Sequence, residues 1–505
     1  MLNIQPTDQP TDHSDHPRSS LLEQYFQPFR NHTIGNRCYY QTPYGRKKII
    51  YADYAASGRL YEPIEWALSH RFGPFVANTH TEDNITGMTM TRSYKEARDR
   101  IKRHVNASPQ DVLIMTGSGM TDAINKLQRI LGLKIPQWIQ EHTTVTEESR
   151  PVIFISHMEH HSNHLTWYET IGDVVCIDPG KNGEIDPHQL EQSLSQYKHR
   201  SCKIGSFTAC SNVTGFQTPY HQLARIMHEH GGICFVDFSA SAPYVDINMH
   251  PPSAMEKLDG IFFSPHKFIG GPGSSGIVIF DSRLYTNRVP DHPGGGTVLW
   301  SNAWGKHHYL SDIETREDGG TPGFLQTIRA ALCIQLKEDM GISQLIQREH
   351  ELATLLMEEL TGIPEVFILG GESKDRLGIV SFIVQDIHYN LMVKLFSDRF
   401  GIQARGGCSC AGPYGHYLLN INKNTSHQIT DQLNEGDFTH KPGWVRISMH
   451  PIMTNAEIYE IVAAIRSIIA HIGCWKQDYH YDPSTNNWRY IYDSYEFDIK
   501  ELFIL

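Results

Sequence analysis

Seven short apolar runs punctuate residues 110–280: "DVLIM", "PVIFIS", "DVVCIDP", "KIGSFTAC", "GICFVDFS", "GIFFS" and "SGIVIF". Their hydrophobicity is nearly continuous, which is the pattern of strands buried on both faces. Segments with helical periodicity, such as "MTDAINKLQRILG" and "YHQLARIMHEHG", lie between several of them. This alternation predicts an α/β fold with a mostly parallel seven-stranded sheet covered by helices. The last two runs are joined by a turn too short for a crossover helix, so that pair is expected to be antiparallel.

After residue 340 the pattern changes. A long helical stretch, "ISQLIQREHELATLLMEELTG", precedes two strand-like runs, "EVFILG" and "GIVSFIVQ". The helix "YNLMVKLFSDRFG", the strand "GWVRISM" and the helix "NAEIYEIVAAIRSIIAHI" follow. They predict a second, smaller α+β domain. The expected division is a polar leader or arm over 1–45, a large domain over 46–335, a small domain over 336–474 with an inserted loop at 411–442, and a tail over 475–505.

Charge and cysteine usage narrow the function classes. The 505 residues carry a formal charge of −12. That argues against nucleic acid or an anionic membrane as the main partner, since both reward a basic surface. The first twenty residues are polar and lack the apolar core of a secretory signal, so the chain reads as cytoplasmic. Nine scattered cysteines do not form a disulfide framework.

Ligands of an open α/β sheet bind beyond the carboxyl ends of its strands, and the residues there carry the chemistry. After "VLIM" comes "TGSGMTDAIN", which opens a helix whose free N–H groups suit a phosphate or form a plain glycine turn. After "VIFIS" come four histidines, His157, His160, His161 and His164. Zinc is one reading, although the H-E-x-x-H order is absent; stacking on an aromatic ligand or capping a helix are others. Asp237 ends the fifth run and needs a cation if buried. Ser264, His266 and Lys267 end the sixth, and a desolvated lysine can form a Schiff base. A phosphate cradle, a stacking histidine, a carboxylate and such a lysine together suit pyridoxal phosphate.

With those residues in hand, the stretch from Tyr51 to Ile472 resembles the class V aminotransferase family, fold type I enzymes that include cysteine desulfurases and selenocysteine lyases. "YADYAASG", "GMTDAIN", "MEHHSNHLTW", "SNVTG", "FSPHK", "GGGT", "DGGTPG" and "WVRISM" are similar to that family's ordered motifs. The resemblance implies that Met120, Thr121, Ser264 and His266 hold the phosphate, that His160 stacks on the ring, and that Asn212 faces its hydroxyl. Asp237 would pair with the ring nitrogen and Lys267 would form the Schiff base. Arg446, with Arg405 and Ala55, would receive the substrate amino acid. Thr297 would reach the phosphate of a partner subunit, which implies a homodimer.

The subfamily turns on "ARGGCSCAGPYGH". Cys410 aligns with the cysteine that attacks sulfur in desulfurases, so the resemblance implies release of sulfur from L-cysteine as a Cys410 persulfide, formation of alanine, and a sulfur-acceptor protein. Cys408 could take or resolve the persulfide. The family's D-x-x-Q reads Asp237-Phe-Ser-Ala240 here, so the glutamine contact is missing or falls to Ser239 or Asn212. Another pyridoxal reaction (transamination, epimerisation or lyase chemistry) with a structural cysteine pair is the alternative within the family. A zinc-binding hydrolase or scaffold is the alternative outside it.

Overall fold

The structure is a computed structural model that describes residues 20–142, 144–181, 183–492 and 499–504. All seven apolar runs are strands of one sheet: β1 (Asp111–Thr116), β2 (Val152–Ser156), β3 (Asp173–Ile177), β4 (Lys203–Thr208), β5 (Ile233–Asp237), β6 (Gly260–Phe263) and β7 (Gly276–Asp281). The order is β1-β7-β6-β5-β4-β2-β3. Strands β6, β5, β4, β2 and β3 run parallel, while β7 is antiparallel to both β6 and β1, as the short turn requires. Every residue of β2, β4, β6 and β7 is buried. Two apolar clusters cover the sheet; Val112, Ile114, Phe235, Phe262 and Phe280 lie in one, and Leu113, Phe154, Val236, Ile261 and Ile279 in the other. This in–out alternation is why each strand reads as unbroken hydrophobic sequence.

The second domain holds four antiparallel strands in the order β8-β9-β11-β10, where β8 is Val366–Ile368, β9 is Ile379–Val384, β10 is Arg405–Gly407 and β11 is Trp444–Ser448. The helices Ile342–Thr361 and Asn455–Trp475 pack together beside it. By length and composition the helix at 455–478 could cross a membrane. Here its Ile458, Ile461, Ile465 and Ile468 are buried in the core, a pattern that also fits an ordinary core helix.

Three stretches have more structure than their sequences suggest. Leu21–Asn31, inside the segment read as leader or arm, is a helix capped by Ser20, with Phe26 buried. Its Arg30 holds Glu457 and its Glu23 holds Arg348, which ties the helix to the small domain. The inserted segment is not a loop: it forms the helices Gly412–Leu418 and Lys423–Asn434. The tail forms a hairpin, Tyr479–Asp482 with Asn487–Tyr490, whose Asn486 carbonyl accepts from Asn390 Nδ2.

Candidate active site

A cavity of about 310 Å³ opens beyond the carboxyl ends of β1, β2, β5 and β6, against the small domain. Ala55, Met120, Thr121, His160, Asn212, Asp237, Ser264, His266, Lys267, Arg405, Cys410 and Arg446 all line it. A volume of this size suits a small cofactor and an amino acid.

The end expected to hold a phosphate is built where β1 passes into the helix Met120–Ile130. The N-cap is Gly119, and Thr121 is the second residue of the helix. The Met120 N–H donates to Ser264 Oγ (2.8 Å), and Thr121 Oγ1 lies 2.6 Å from Ser162 Oγ. His266 Nδ1 lies 3.0 Å from the Ser118 carbonyl. A Cβ on Gly119 would meet the His266 ring at 3.0 Å, so glycine permits this approach of loop to loop. The Met120 N–H, the Thr121 and Ser264 hydroxyls and an imidazole converge here, groups that can serve as donors to an anion.

His160 serves one of the readings its sequence left open, the helix cap, and also lines the cavity. It is the N-cap of the helix His161–Tyr168, and its Nδ1 accepts from the Ser162 N–H (3.1 Å) while the residue lines the cavity. Burial and the nearby Lys267 charge push its pKa down to about 3, so the ring is neutral and carries its proton on Nε2. The other histidines diverge. His157 Nε2 lies 2.9 Å from the Gly183 carbonyl, and His161 Nε2 accepts from the Gly412 N–H. Among the described residues no group of three or more His, Cys, Asp or Glu side chains is placed to hold a metal ion.

Asp237, at the end of β5, is 3 % exposed and accepts from the Ser239 N–H (2.9 Å). Burial raises its pKa. An almost fully buried carboxylate needs a cation or strong donors, and a protonated ring nitrogen would supply one. Asn212 donates from Nδ2 to the Ser409 carbonyl (2.7 Å), while its buried Oδ1 has no partner among the described residues. The unpartnered Asn212 Oδ1 and the buried Asp237 carboxylate fit pyridoxal phosphate, with Asp237 able to meet a ring nitrogen and Asn212 a ring substituent.

Lys267 sits half-buried on the turn after β6. Desolvation, partly offset by Asp237, lowers its pKa to about 8. The ammonium therefore gives way to the free amine as pH rises through about 8. A Schiff base between Lys267 and pyridoxal phosphate, as the sequence leads one to expect, would need that amine. The rate of its formation, followed by absorbance, is expected to climb through this range and level off above it.

Arg446, on β11, is 3 % exposed. One Nη donates to the Asn212 carbonyl (3.1 Å) and the other to Asp53 Oδ1 (2.7 Å). Its Nε has no partner among the described residues. Arg405 Nε donates to the second oxygen of the same carboxylate, Asp53 Oδ2 (3.1 Å). Asp53 thus holds both arginines, a role the sequence reading did not assign although the residue stands inside "YADYAASG". That loop is clamped between the domains. The Ala55 N–H donates to Ser448 Oγ (2.9 Å) and the Gly58 N–H to the His266 carbonyl (2.9 Å). A Cβ on Gly58 would lie 1.9 Å from the Phe268 carbonyl oxygen, so only glycine allows the contact. Glu159 was also missed: it is buried beneath the site and accepts from the Thr208 N–H (3.0 Å) and Asn163 Nδ2 (2.6 Å).

Thr297, which is expected to reach the phosphate of a partner subunit, is not among the residues that line this chain's own cavity. It is buried elsewhere in the chain, and its hydroxyl donates to the Gly294 carbonyl (2.7 Å).

The family model for class-V aminotransferases matches residues 50–461. The chain belongs to this family. As a class-V aminotransferase it is an enzyme of a pyridoxal phosphate-dependent family. It is 27% identical over 379 residues to a probable cysteine desulfurase of Halalkalibacterium halodurans, covering 73% of this chain and 86% of that protein. It is 25% identical over 371 residues to another of Streptomyces coelicolor, covering 72% and 84%. The apo structure of a cysteine desulfurase from Thermococcus onnurineus superposes with a TM-score of 0.68 at 23% identity, over 84% of this chain and 95% of that one. The cysteine desulfurase CsdA from Escherichia coli gives 0.65 at 21%, over 83% and 94%. These solved structures share the fold, the fold type I arrangement of a large sheet domain and a smaller α+β domain.

Proposed function

We propose that this class-V aminotransferase is a pyridoxal phosphate-dependent cysteine desulfurase. The carrying observation is that the exposed Cys410 lines the same cavity as Lys267 and the Arg405–Asp53–Arg446 cluster. A transaminase needs no thiol there.

Bound pyridoxal phosphate supplies an electron sink for the substrate Cα. The chain's own residues do the rest. Met120, Thr121, Ser264 and His266 anchor the phosphate, and Asp237 keeps the ring nitrogen protonated. Arg446 takes the substrate carboxylate, using the donors that Asp53 leaves free. Lys267 removes the Cα proton and later returns it. The Cys410 thiolate attacks the substrate sulfur, the Cβ–S bond breaks, and the outer sulfur stays on Cys410 as a persulfide. The electron pair remains on Cβ, which takes up a proton, and L-alanine leaves.

Purified holoenzyme given L-cysteine and a reductant is expected to release sulfide and alanine in equal amounts. Loss of cofactor colour with a sulfur-free amino acid, and neither product from cysteine, would overturn the reading in favour of transamination. Asp53→Asn is expected to lower kcat/KM about tenfold or more, mainly through KM, because a charged hydrogen bond that orients two arginines is lost. Steady-state kinetics check it, and an unchanged KM would remove Asp53 from substrate binding.

A homodimer is part of the same proposal. Thr297 opens a hairpin, Val298–Ser301 with His307–Tyr309, that presents Leu299, Trp300 and Trp304 to solvent, the last 86 % exposed. Apolar side chains so presented suit a subunit contact. A sulfur-acceptor protein would draw the persulfide sulfur.

A further inference from the structure

The desulfurase reading uses Cys410 and leaves Cys408 without a role. The two cysteines face different spaces. Cys410 lines the cofactor cavity, whereas the half-buried Cys408 lines a second cavity of about 160 Å³. No residue lines both. The inserted helices build the second cavity: Gly415, Leu419, Ile429 and Leu433 wall it together with Trp444. The insertion thus gives Cys408 a chamber of its own.

The turn between the cysteines is strained and tethered. Ser409 and Cys410 are consecutive non-glycine residues with φ of +50° and +56°. Such conformations are strained for non-glycine residues and persist only where their surroundings impose them. Here they do: the Ser409 carbonyl accepts from Asn212 Nδ2, and the Cys410 carbonyl accepts from the His161 N–H (2.7 Å). Both tethers come from the cofactor-cavity side. On the other side the turn is entered through Gly407, the last residue of β10, which pairs with Trp444 and has φ of +111°, a conformation that favours glycine. Release of the tethers would let the turn relax and swing Cys410 toward its neighbour.

We propose that Cys408 is a second sulfur carrier, which takes the sulfane sulfur from Cys410 and presents it in the chamber formed by the insertion. The inference rests on the desulfurase reading. The Cys408 thiolate attacks the outer sulfur of the Cys410 persulfide. The bond between that sulfur and Cys410 Sγ breaks, a new S–S bond forms at Cys408, and Cys410 leaves as a thiolate. No net oxidation occurs and no further reactant is needed. The transfer clears Cys410 for the next substrate and moves the sulfur out of the cofactor cavity.

The test is to give holoenzyme L-cysteine without a reductant, quench with an alkylating reagent, and digest with trypsin. Both cysteines fall in the peptide 406–423, so its fragment masses place the extra sulfur. Most of it is expected on Cys408 in the wild-type protein. In Cys408→Ser it should stay on Cys410, and in Cys410→Ser it should reach neither position. Wild-type persulfide on Cys410 alone would overturn the relay. So would a Cys408–Cys410 disulfide, because attack on the inner sulfur would then have expelled hydrogen sulfide. Alanine in the same sample separates the two ideas. Alanine with sulfur confined to Cys410 sinks the relay and leaves the desulfurase, whereas no alanine sinks the desulfurase and the relay with it.

Discussion

Lys267→Ala is expected to give a protein that folds, purifies without the yellow cofactor colour, and turns over L-cysteine at least about a thousandfold more slowly. Two separate losses combine. The substitution removes the only side chain on the turn after β6 that can bond the cofactor aldehyde, and it removes the base for the Cα proton. The fold should tolerate the change, since Lys267 stands half-buried at the cavity wall and its depressed pKa shows that burial already disfavours its charge. A visible spectrum and an alanine assay on the same preparation check both losses. Retained colour would mean that another amine holds the cofactor, and retained turnover would move the base elsewhere. Added methylamine would restore part of the proton transfer if the missing amine is the cause.

The seven sheet strands were legible because each is buried on both faces, and burial writes itself into sequence as continuous hydrophobicity. The strand β10 (Arg405–Gly407) was not, since three residues with two glycines carry no such pattern. The helix Ile85–His104 also passed unnoticed. Its buried Met90, Tyr94, Ala97 and Ile101 do follow helical spacing, but charged residues outnumber them. At the site, motif order placed eleven of the cavity residues that were named besides Ala55. Asp53 escaped because its partners, Arg405 and Arg446, lie 352 and 393 positions away, and a carboxylate shared by two arginines exists only once two domains meet. Thr297 was expected to reach a partner subunit's phosphate; within this chain its hydroxyl donates to the Gly294 carbonyl.

Cys410→Ser should separate cofactor binding from sulfur chemistry. The thiol makes none of the contacts that hold the phosphate end or face Asp237, so the protein is expected to keep its colour and its response to L-cysteine. Sulfide and alanine release should fall by about three orders of magnitude, because a serine hydroxyl is a poor nucleophile toward sulfur and offers no thiolate. The backbone gives the substitution a fair trial: serine already occupies position 409 with φ of +50°, so a second serine at +56° adds little strain. The Cys410 carbonyl bond to the His161 N–H is also independent of the side chain. The assay is sulfide and alanine measured together, with the visible spectrum recorded before and after substrate. Colour kept and both products lost would assign the attack to Cys410. Colour kept and both products retained would mean that the sulfur leaves without this thiol, and the enzyme would then be a lyase whose cysteine pair serves the turn between β10 and the inserted helices.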